Sequence, residues 1–315
     1  MNAMSDIAAQ PAHARPIQLK FEIGARTLMA IQRSLLRLPQ SLEDARAGML
    51  PELPALERDA HGYAITSLPE SLQAMMVAAS GDMLPFVRQR YTRYFIDFSV
   101  GFEGWWNGLS SNARQGLKRK AKKIASESGG DLDVRSFTRP SQLDEFHDVA
   151  RRISLRTYQE RLLGSGLPDT PEFLREMIAQ SAADRVRAWL LYIAGEPAAY
   201  LYCPIVGDTV IYAHVGHDPA FNDLSPGAVL QLEAMRDLFD EKRYARFDFT
   251  EGEGQHKRQF ATGGVPCIDL LLLRPSLANR VTMAALGGFN RSVALVKRGV
   301  QKAGLGRLAK KLRRG

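Results

Sequence analysis

Three apolar segments that follow one another closely place the strongest constraint on how this chain can fold. They cover residues 186–194, 197–206 and 209–215. The pairs Gly195-Glu196 and Gly207-Asp208 that separate them have the composition of two-residue hairpin turns. Short apolar segments joined by such turns predict three antiparallel strands in succession.

Helices and further strands are predicted on both sides of these three strands. Their ranges are a strand at 132–137, helices at 142–163 and 171–182, a helix at 226–242, a strand at 244–250, a short helix at 254–260 and a strand at 265–273. The longer helical ranges repeat apolar residues every three or four positions, whereas the strand ranges are short and apolar. The sequence from residue 132 onward therefore predicts a mixed α/β fold.

The residues before 111 are predicted to form a smaller α/β half. Residues 1–16, rich in Ala and Pro, have the composition of a disordered leader. The ranges predicted after it are a strand at 17–23, a helix at 25–38, a strand at 62–67, a helix at 70–80 and a strand at 91–98. We therefore expect four parts, namely the leader 1–16, a half at 17–110, a main domain at 111–275 and a tail at 276–315.

The positive charge of the chain is concentrated at its C-terminal end. The 315 residues include 42 Lys and Arg against 34 Asp and Glu, which gives a formal net charge of +8. Residues 270–315 hold 11 of the basic residues and no acidic one, so the rest of the chain carries a net charge of −3. A mildly acidic main part is not typical of a dedicated nucleic-acid-binding protein.

Several other classes of protein are excluded by features that the sequence lacks. Two cysteines, Cys203 and Cys267, cannot build a disulfide framework, and no Cys/His cluster has the spacing of zinc ligands. No run approaches 18 apolar residues, and the N-terminus lacks the apolar segment of a signal peptide. We therefore expect a cytoplasmic protein without a metal cofactor.

The predicted helix at 226–242 begins with residues that suit an anion. Ser225 is a good N-cap residue, and Pro226 is favoured at the first helical position. Gly227 and Ala228 follow, and no acidic residue occurs before Glu233. The N–H groups of this first turn could therefore bind a pyrophosphate at the positive end of the helix dipole. An ordinary capped core helix is the alternative interpretation.

A second candidate is the polar segment that follows the predicted strand at 244–250. Asp248 stands between Phe247 and Phe249, and an acidic residue in an apolar strand is usually paired or faces a cleft. Loops at the carboxyl ends of strands are common ligand sites in α/β proteins. The alternative interpretation is a structural ion pair of Asp248 with Arg246 or Lys257.

Histidines and a polar cluster give two weaker candidates. Tyr212 and His214 are predicted to share one face of the third hairpin strand, and His214 is either a core residue or a base. With His217 it lacks a third ligand for a metal. The polar and aromatic residues at 157–161 are either a substrate-recognition loop or a solvated helix end.

A basic helix is predicted at 112–126. Arg114, Lys118 and Lys122 recur every fourth residue, with Arg119, Lys120 and Lys123 beside them. Such a helix could hold the phosphates of a nucleic acid. It has no interleaved aromatic residues, so base stacking is not indicated.

Together these features resemble the GNAT superfamily of N-acyltransferases. The element order from 132 to 273 matches, and HDPAFNDLSPGAVL followed by FDFTEGEGQHKRQFATG is similar to a branch related to bacterial exopolysaccharide and cellulose-biosynthesis acetyltransferases. That branch is in turn similar to Fem-type peptidoglycan aminoacyltransferases. His256-Lys257 stands where Tyr-Lys is usual, and the common acyl-CoA loop of simple GNAT enzymes is replaced by 222–227.

The resemblance implies a mostly antiparallel central sheet flanked by helices, with a reduced GNAT-like N-terminal half. It implies transfer of an acyl group, acetyl above all, from acyl-CoA to a small-molecule or glycan amine. The roles it implies are His214 or Glu251 as base, Asp248 orienting the site and Lys257 binding an anion or the thioester carbonyl. Tyr158, Arg161 and His256 are expected to contact the acceptor, and Ser225, Pro226, Gly227 and Ala228 to hold the cofactor.

Two other functions remain open at this stage. The donor could be an aminoacyl-tRNA, as in the Fem-type enzymes, or the chain could be a GNAT-like scaffold without catalysis. The tail at 276–315 alternates valines with basic residues in a helical pattern, which is typical of helices that lie on anionic membrane surfaces. A disordered solubilising tail is the alternative, and glycines in the tail favour it.

Overall fold

The structure is a computed structural model that describes residues 13–23, 26–157, 166–252 and 254–302. The chain forms two compact units. Unit 1 comprises residues 1–10, 41–47 and 91–267, and unit 2 comprises residues 11–40, 48–90 and 268–315. The predicted boundary after residue 110 lies inside unit 1, and the one after residue 275 lies inside unit 2.

Strands and helices alternate along much of the chain. The strands are β1 (Arg15–Ile23), β2 (Arg26–Pro39), β3 (Gly62–Pro69), β4 (Leu84–Asp97), β5 (Asp133–Phe137), β6 (Val186–Ile193), β7 (Glu196–Val206), β8 (Thr209–Ile211), β9 (His214–His217), β10 (Arg246–Asp248) and β11 (Gly263–Leu273). The helices are α1 (Leu42–Ala47), α2 (Gln73–Ala79), α3 (Gly101–Gly108), α4 (Ser111–Glu127), α5 (Leu143–Arg156), α6 (Pro171–Ala182), α7 (Pro226–Glu241), α8 (Gln255–Phe260) and α9 (Leu277–Lys302).

Unit 1 is built on a mostly antiparallel sheet. Its strands lie in the order β4-β10-β8-β7-β6-β5, and β9 also pairs with β7. The pair of β8 and β10 is parallel, whereas β4 with β10 and all the pairs from β5 to β8 are antiparallel. The three predicted hairpin strands are confirmed, with Ala194-Gly195 rather than Gly195-Glu196 forming the first turn.

Helices cover both faces of this sheet. On one face, Leu117 of α4 and Leu232 of α7 share a buried cluster with Trp189 and Leu201. On the other face, α5 and α6 contribute residues such as Phe146 and Phe173 to a second buried cluster. Strand β6 is buried throughout because consecutive side chains point to opposite faces and both faces are covered. The expected central sheet with flanking helices is thereby confirmed.

Unit 2 contains β1, β2, β3 and residues 268–273 of β11, which lie side by side in that order. Strand β1 pairs antiparallel with β2, which pairs in parallel with β3. Helix α9 covers one face, where Leu286 joins a cluster with Leu19 and Leu35. On the opposite face Met76 of α2 packs with Leu36 and Ile65.

The helix predicted at 25–38 is wrong, because these residues form β2. Leu35 and Leu36 are adjacent in the sequence and both buried, but they belong to clusters on opposite faces of the sheet. A strand places consecutive side chains on opposite faces, whereas a helix would turn them only about 100° apart. Pairing with β1 and β3 thus overrides a composition that is typical of helices.

Other boundaries differ less from the prediction. Of the expected leader, residues 1–12 lie outside the described residues, and Arg15 and Pro16 already belong to β1. The predicted helix at 142–163 is helical from Leu143 to Arg156, and residues 158–165 lie outside the described residues. In the tail, α9 runs from Leu277 to Lys302, and residues 303–315 lie outside the described residues.

Gly62 of β3 provides a test of the packing in unit 2. Its φ is +152°, and an added Cβ would overlap the carbonyl oxygen of Leu272. We expect Gly62→Ala to destabilise the fold by about 2 kcal/mol or more, because the backbone must move to admit the methyl group. The measurement is the urea midpoint of the variant against Gly116→Ala in α4, where nothing lies within 4 Å. Equal midpoints would contradict the packing described here.

Candidate active site

Strands β8 and β10 run side by side for only three residues. Thr209–Ile211 pair in parallel with Arg246–Asp248. The strand predicted at 209–215 is interrupted at Tyr212 and Ala213 and resumes as β9, which pairs with β7 alone among the described strands. The side of β9 that faces away from β7 is therefore an open strand edge, and open edges can accept an extended ligand as an added strand.

The open edge leads into the turn that precedes α7. Residues Pro219–Leu224 form a 3-10 turn whose start is capped, since the Asp218 carboxylate accepts a hydrogen bond from Ala220 N at 3.0 Å. Ser225 stands at the N-cap of α7, but its side chain makes no capping hydrogen bond with a described residue. Its backbone is left-handed, with φ 54° and ψ 53°, whereas a capping hydroxyl needs an extended backbone. The predicted Ser225 side-chain cap is therefore wrong.

The first turn of α7 has room for an anion. Pro226 is buried and has no N–H, and Gly227 and Ala228 are half-buried. An N–H at the second position of a helix has no acceptor within the helix, which leaves that of Gly227 for an outside partner. A Cβ built on Gly227 would meet only His217 Nδ1, at 3.9 Å. The absence of an acidic residue in this turn preserves the positive end of the helix dipole.

Helix α4 brings positive charge to the same region. It packs against α7 and contacts the 3-10 turn at Pro219–Leu224. Its exposed basic residues are Lys118, Arg119, Lys122 and Lys123. The first acidic residue of the helix is Glu127, at its last position. The field of α4 therefore adds to that of the α7 terminus and favours an anionic ligand.

Asp248 is fully buried and forms an ion pair with Arg93 of β4. Arg93 Nη2 lies 2.5 Å from Asp248 Oδ2, and Arg93 Nε lies 3.2 Å from Asp248 Oδ1. Thr250 N donates to Asp248 Oδ1 at 2.8 Å. Both predicted partners of Asp248 are wrong, since Arg246 pairs with Asp97 instead and Lys257 bonds to a backbone carbonyl. The negative charge raises the pKa of Arg93 against the opposing effect of burial.

The segment after Asp248 is a tight turn held by Lys257. Thr250 has a left-handed backbone with φ 60°, and Gly252 follows with φ 91°. Lys257 Nζ, which is nearly buried, donates to the Glu251 carbonyl oxygen at 2.6 Å. Glu251 is exposed. Asp248, Glu251 and Lys257 are thus brought together at the end of β10, as the sequence predicts.

His256 lies at the same end of the sheet. Its ring centre is 6.0 Å from that of Tyr212, which in turn packs against Phe247 and Phe249. Desolvation and the neighbouring Lys257 charge lower the pKa of His256. The exposed part of the ring can therefore contact an acceptor as a neutral imidazole.

His214 lies on the opposite face of the sheet from Tyr212. It is the cross-strand neighbour of Tyr202, and its ring packs 5.5 Å from that of Phe173 in the cluster beneath α5 and α6. The predicted shared face of Tyr212 and His214 is wrong because the strand is interrupted between them. Nε2 of His214 and Oη of Tyr202 are buried without a hydrogen-bond partner among the described residues. Burial lowers the pKa of His214 to about 4.

The structure thus groups most of the predicted residues but not all of them. Ser225, Pro226, Gly227 and Ala228 lie at one helix terminus, and Asp248, Glu251, His256 and Lys257 at the end of β10. His214 lies on the other face, and Tyr158 and Arg161 lie outside the described residues. The sequence analysis missed Arg93, although one basic residue inside an apolar strand is the same signal that drew attention to Asp248. It also missed Tyr202, which no local pattern distinguishes from a core residue.

A family model matches the part of the chain that contains most of these residues. Residues 111–258 match the family model described as an acetyltransferase (GNAT) domain. The structure resembles FemX with a TM-score of 0.51 and 9% identity, over 86% of this chain and 91% of that one. It also resembles the C-terminal domain of a protein described as a lysylphosphatidylglycerol synthetase from Agrobacterium fabrum, with a TM-score of 0.49, 13% identity and 72% of each chain covered. Of these two structures, FemX has the similarity that shows a shared fold. No curated protein matches the sequence.

Removing one partner of the Arg93–Asp248 pair tests how β10 is held. We expect Arg93→Met to destabilise the fold by about 3–5 kcal/mol, because it leaves a buried carboxylate without its counter-charge. The double variant Arg93→Met/Asp248→Leu should recover much of that loss. Urea denaturation of the two single variants and the double variant gives the coupling energy, and strictly additive effects would show that the pair does not act as a unit.

Protonation of His214 provides a second test. The unfolded chain binds a proton at this histidine below about pH 6.5, whereas the folded chain binds it only near pH 4. The free energy of unfolding should therefore fall as the pH drops through this window, by at most about 1.4 kcal/mol per pH unit. His214→Phe should reduce this slope, and Tyr202→Phe, which removes no group that titrates in this range, should keep it. Unfolding curves at several pH values check the expectation, and identical slopes for wild type and His214→Phe would refute it.

Proposed function

We propose that the GNAT acetyltransferase domain at residues 111–258 transfers an acyl group, acetyl in the first instance, from acyl-CoA to an amine. The observation that carries the proposal is the open edge of β9 leading into the acid-free first turn of α7. An acyl-CoA has an extended chain with two amides and a pyrophosphate at its far end. The strand edge complements the extended chain with its amides, and the helix terminus complements the pyrophosphate.

The donor would bind through backbone groups. The pantetheine amides add to the edge of β9 as an extra strand, with hydrogen bonds from main-chain groups of residues 214–217. The pyrophosphate then lies at the N–H group of Gly227, where the helix dipole and the charges of α4 stabilise it. The N–H group of Ala228 donates to the Ser225 carbonyl oxygen within the same turn. Ser225 contributes its left-handed turn, which directs α7 toward the ligand, rather than a hydroxyl cap.

The transfer step needs an amine that has lost its proton. The amine nitrogen attacks the thioester carbonyl, the new C–N bond forms, and the C–S bond breaks as the thiol leaves with a proton. Glu251 is the better candidate for the proton acceptor, because its exposed carboxylate lies beside the end of β10. His214, with a pKa of about 4, is a weak base. Its Nε2 has no hydrogen-bond partner among the described residues, which suits the acceptance of a hydrogen bond that orients a polar group.

Two charged residues have positioning roles in this proposal. Asp248 is buried against Arg93, so it fixes the end of β10 and does not itself touch the reacting atoms. Lys257 holds the turn at residues 250–252 through the Glu251 carbonyl. Its ammonium group could also bring a positive charge to an anionic acceptor or to the thioester oxygen at the end of β10.

The acceptor that we favour is an amine on a glycan of the cell envelope or an exopolysaccharide. The support is the resemblance of the Ser225–Gly227 and Phe247–Lys257 motifs to that branch of GNAT proteins. His256 beside Tyr212 offers a half-exposed aromatic surface to such an acceptor. Tyr158 and Arg161 remain proposed acceptor contacts on the basis of the sequence.

A second candidate donor is an aminoacyl-tRNA. The observation that favours it is the row of exposed basic residues on α4, which adjoins the proposed donor site. Phosphates of a tRNA could bind there in a salt-dependent manner. If the donor is an aminoacyl-tRNA, uncharged tRNA should compete with it and inhibit the transfer at low salt, and Lys118→Gln/Lys122→Gln should relieve that inhibition. If the donor is an acyl-CoA, turnover should proceed without any tRNA.

The variants Gly227→Asp and Gly227→Asn test the acyl-CoA site. The position admits a Cβ, because the nearest atom to it would be His217 Nδ1 at 3.9 Å. The aspartate stabilises the helix start but repels a pyrophosphate, so we expect the dissociation constant of CoA to rise by about tenfold or more. The asparagine has nearly the same shape without the charge and should change it little.

Calorimetric titration measures the dissociation constant of CoA, and thiol release from acetyl-CoA measures the rate of acyl transfer. Wild-type protein that binds CoA and releases thiol in the presence of an amine supports the proposal. Equal CoA affinity for the aspartate variant and the wild type would place the pyrophosphate elsewhere. Failure of the wild type to bind any acyl-CoA would overturn the proposal and leave the tRNA donor to be tested.

A further inference from the structure

The tip of the β1–β2 hairpin exposes apolar side chains. Ile23, Leu28 and Met29 are each more than half exposed. Leu28 is the extra residue of a bulge, since Phe21 pairs with Met29 and Glu22 pairs with Thr27. Glu22, the acidic residue at the tip, lies 3.9 Å from Lys20. Exposed apolar residues grouped at a hairpin end indicate a contact surface rather than a random scatter.

Helix α9 runs toward this tip. Near its start, Asn279 accepts a hydrogen bond from Arg33, which pairs with Ile17 in the sheet. Ten residues later Phe289 packs against Phe21, with ring centres 5.4 Å apart. The helix therefore advances along β1 in the direction of the hairpin tip, and Arg291 and Leu295 follow at the end where the tip lies.

The side of α9 that faces away from the sheet is apolar with basic residues beside it. Leu277, Val281 and Leu295 are all exposed and fall within about 40° of one another around the helix axis. Arg280 and Arg291 are exposed beside this stripe. The residues packed on the sheet, such as Leu286, lie on the opposite side of the helix. Neither side of α9 has an acidic residue.

The net positive charge of unit 2 indicates which kind of partner this surface favours. Unit 2 contains 19 Lys and Arg against 7 Asp and Glu, whereas unit 1 contains 23 against 27. Apolar side chains with basic neighbours are the pattern of segments that lie in the interface of an anionic bilayer. A second copy of the same basic surface would be repelled.

We propose that unit 2 binds an anionic lipid surface through the tip surface, which we define as Ile23, Leu28, Met29, Arg291 and Leu295. The apolar side chains enter the headgroup region, and Arg291 attracts the lipid phosphates. No helix in the described part of the chain is long and apolar enough to cross a bilayer. The proposed contact is therefore one at the membrane surface, and it does not depend on the acyl-transfer proposal.

Flotation of the full chain with lipid vesicles tests this contact. One set of vesicles contains phosphatidylcholine alone, and the other contains phosphatidylcholine and phosphatidylglycerol in equal parts. We expect the protein to float with the second set at low salt and to be released at high salt. Leu28→Thr/Met29→Thr should weaken binding by about tenfold, because it removes apolar surface that enters the interface. Arg291→Gln should weaken it by about fivefold.

Matched control variants show whether lipid binding depends on the tip surface or only on the overall apolar exposure and charge of unit 2. Met49 and Met75 are as exposed as Leu28 but lie in the segments that cover the other face of the unit 2 sheet, so Met49→Thr/Met75→Thr should leave binding unchanged. Arg280→Gln removes one charge at the far end of the same helix and should have a smaller effect than Arg291→Gln.

Three results would overturn the proposal. They are the absence of flotation with anionic vesicles, equal flotation with both sets, and equal losses in the tip variants and their controls. Light scattering tests whether the tip surface is a dimer contact instead. A wild-type protein that is dimeric and a Leu28→Thr/Met29→Thr variant that is monomeric would assign the surface to self-association.

Discussion

The buried ion pair between Arg93 and Asp248 is the interaction on which the proposed site depends. Each charge alone would be costly inside an apolar sheet, so the two strands that carry them are held in one register. That register fixes where β10 ends, and Thr250 N bonds to the same carboxylate as the chain turns away. Tyr212 N donates to the Asp248 carbonyl at the last point where the two strand paths meet. The ion pair therefore fixes the position on β10 beyond which β9 and β10 separate.

The divergence divides the site between the two faces of the sheet. On the face beneath α4 and α7, the strand edge, the α7 terminus and the basic helix all favour a long anionic donor. On the other face, His214 and Tyr202 offer two buried polar atoms that have no hydrogen-bond partner in the part of the chain that the structure describes. Buried polar groups that lack a partner are rare in folded proteins and are usually explained by a ligand or by water. The interruption at Tyr212 and Ala213 is what separates these two environments.

The main domain could be predicted from the sequence because its signals are local. Hairpin turns and apolar periodicity identify the elements from 132 to 273, and the helix start at Ser225–Ala228 is written in consecutive residues. Strand β2 could not be predicted, since residues 26–39 have helical composition and become a strand only through partners in β1 and β3. The partner of Asp248 lies 155 residues away in the sequence, so spacing suggested the nearer Arg246 and Lys257 instead. The interruption after Ile211 gives no signal within an apolar run.

The distribution of charge follows the folded units more closely than it follows the chain. Residues 270–315 account for 11 basic residues in the sequence, and those among them that the structure describes, between 274 and 302, belong to unit 2 together with the basic residues of β1 and β2. Unit 1, which contains the proposed donor site, is acidic overall although α4 is strongly basic. In unit 1, one basic helix supplies enough positive charge for a substrate that carries phosphates. In unit 2, basic residues are distributed over the whole unit, which suits contact with the many phosphates of a lipid surface. A lipid-bound unit 2 would also raise the concentration of membrane-linked acceptors that unit 1 encounters, because the two units share one chain.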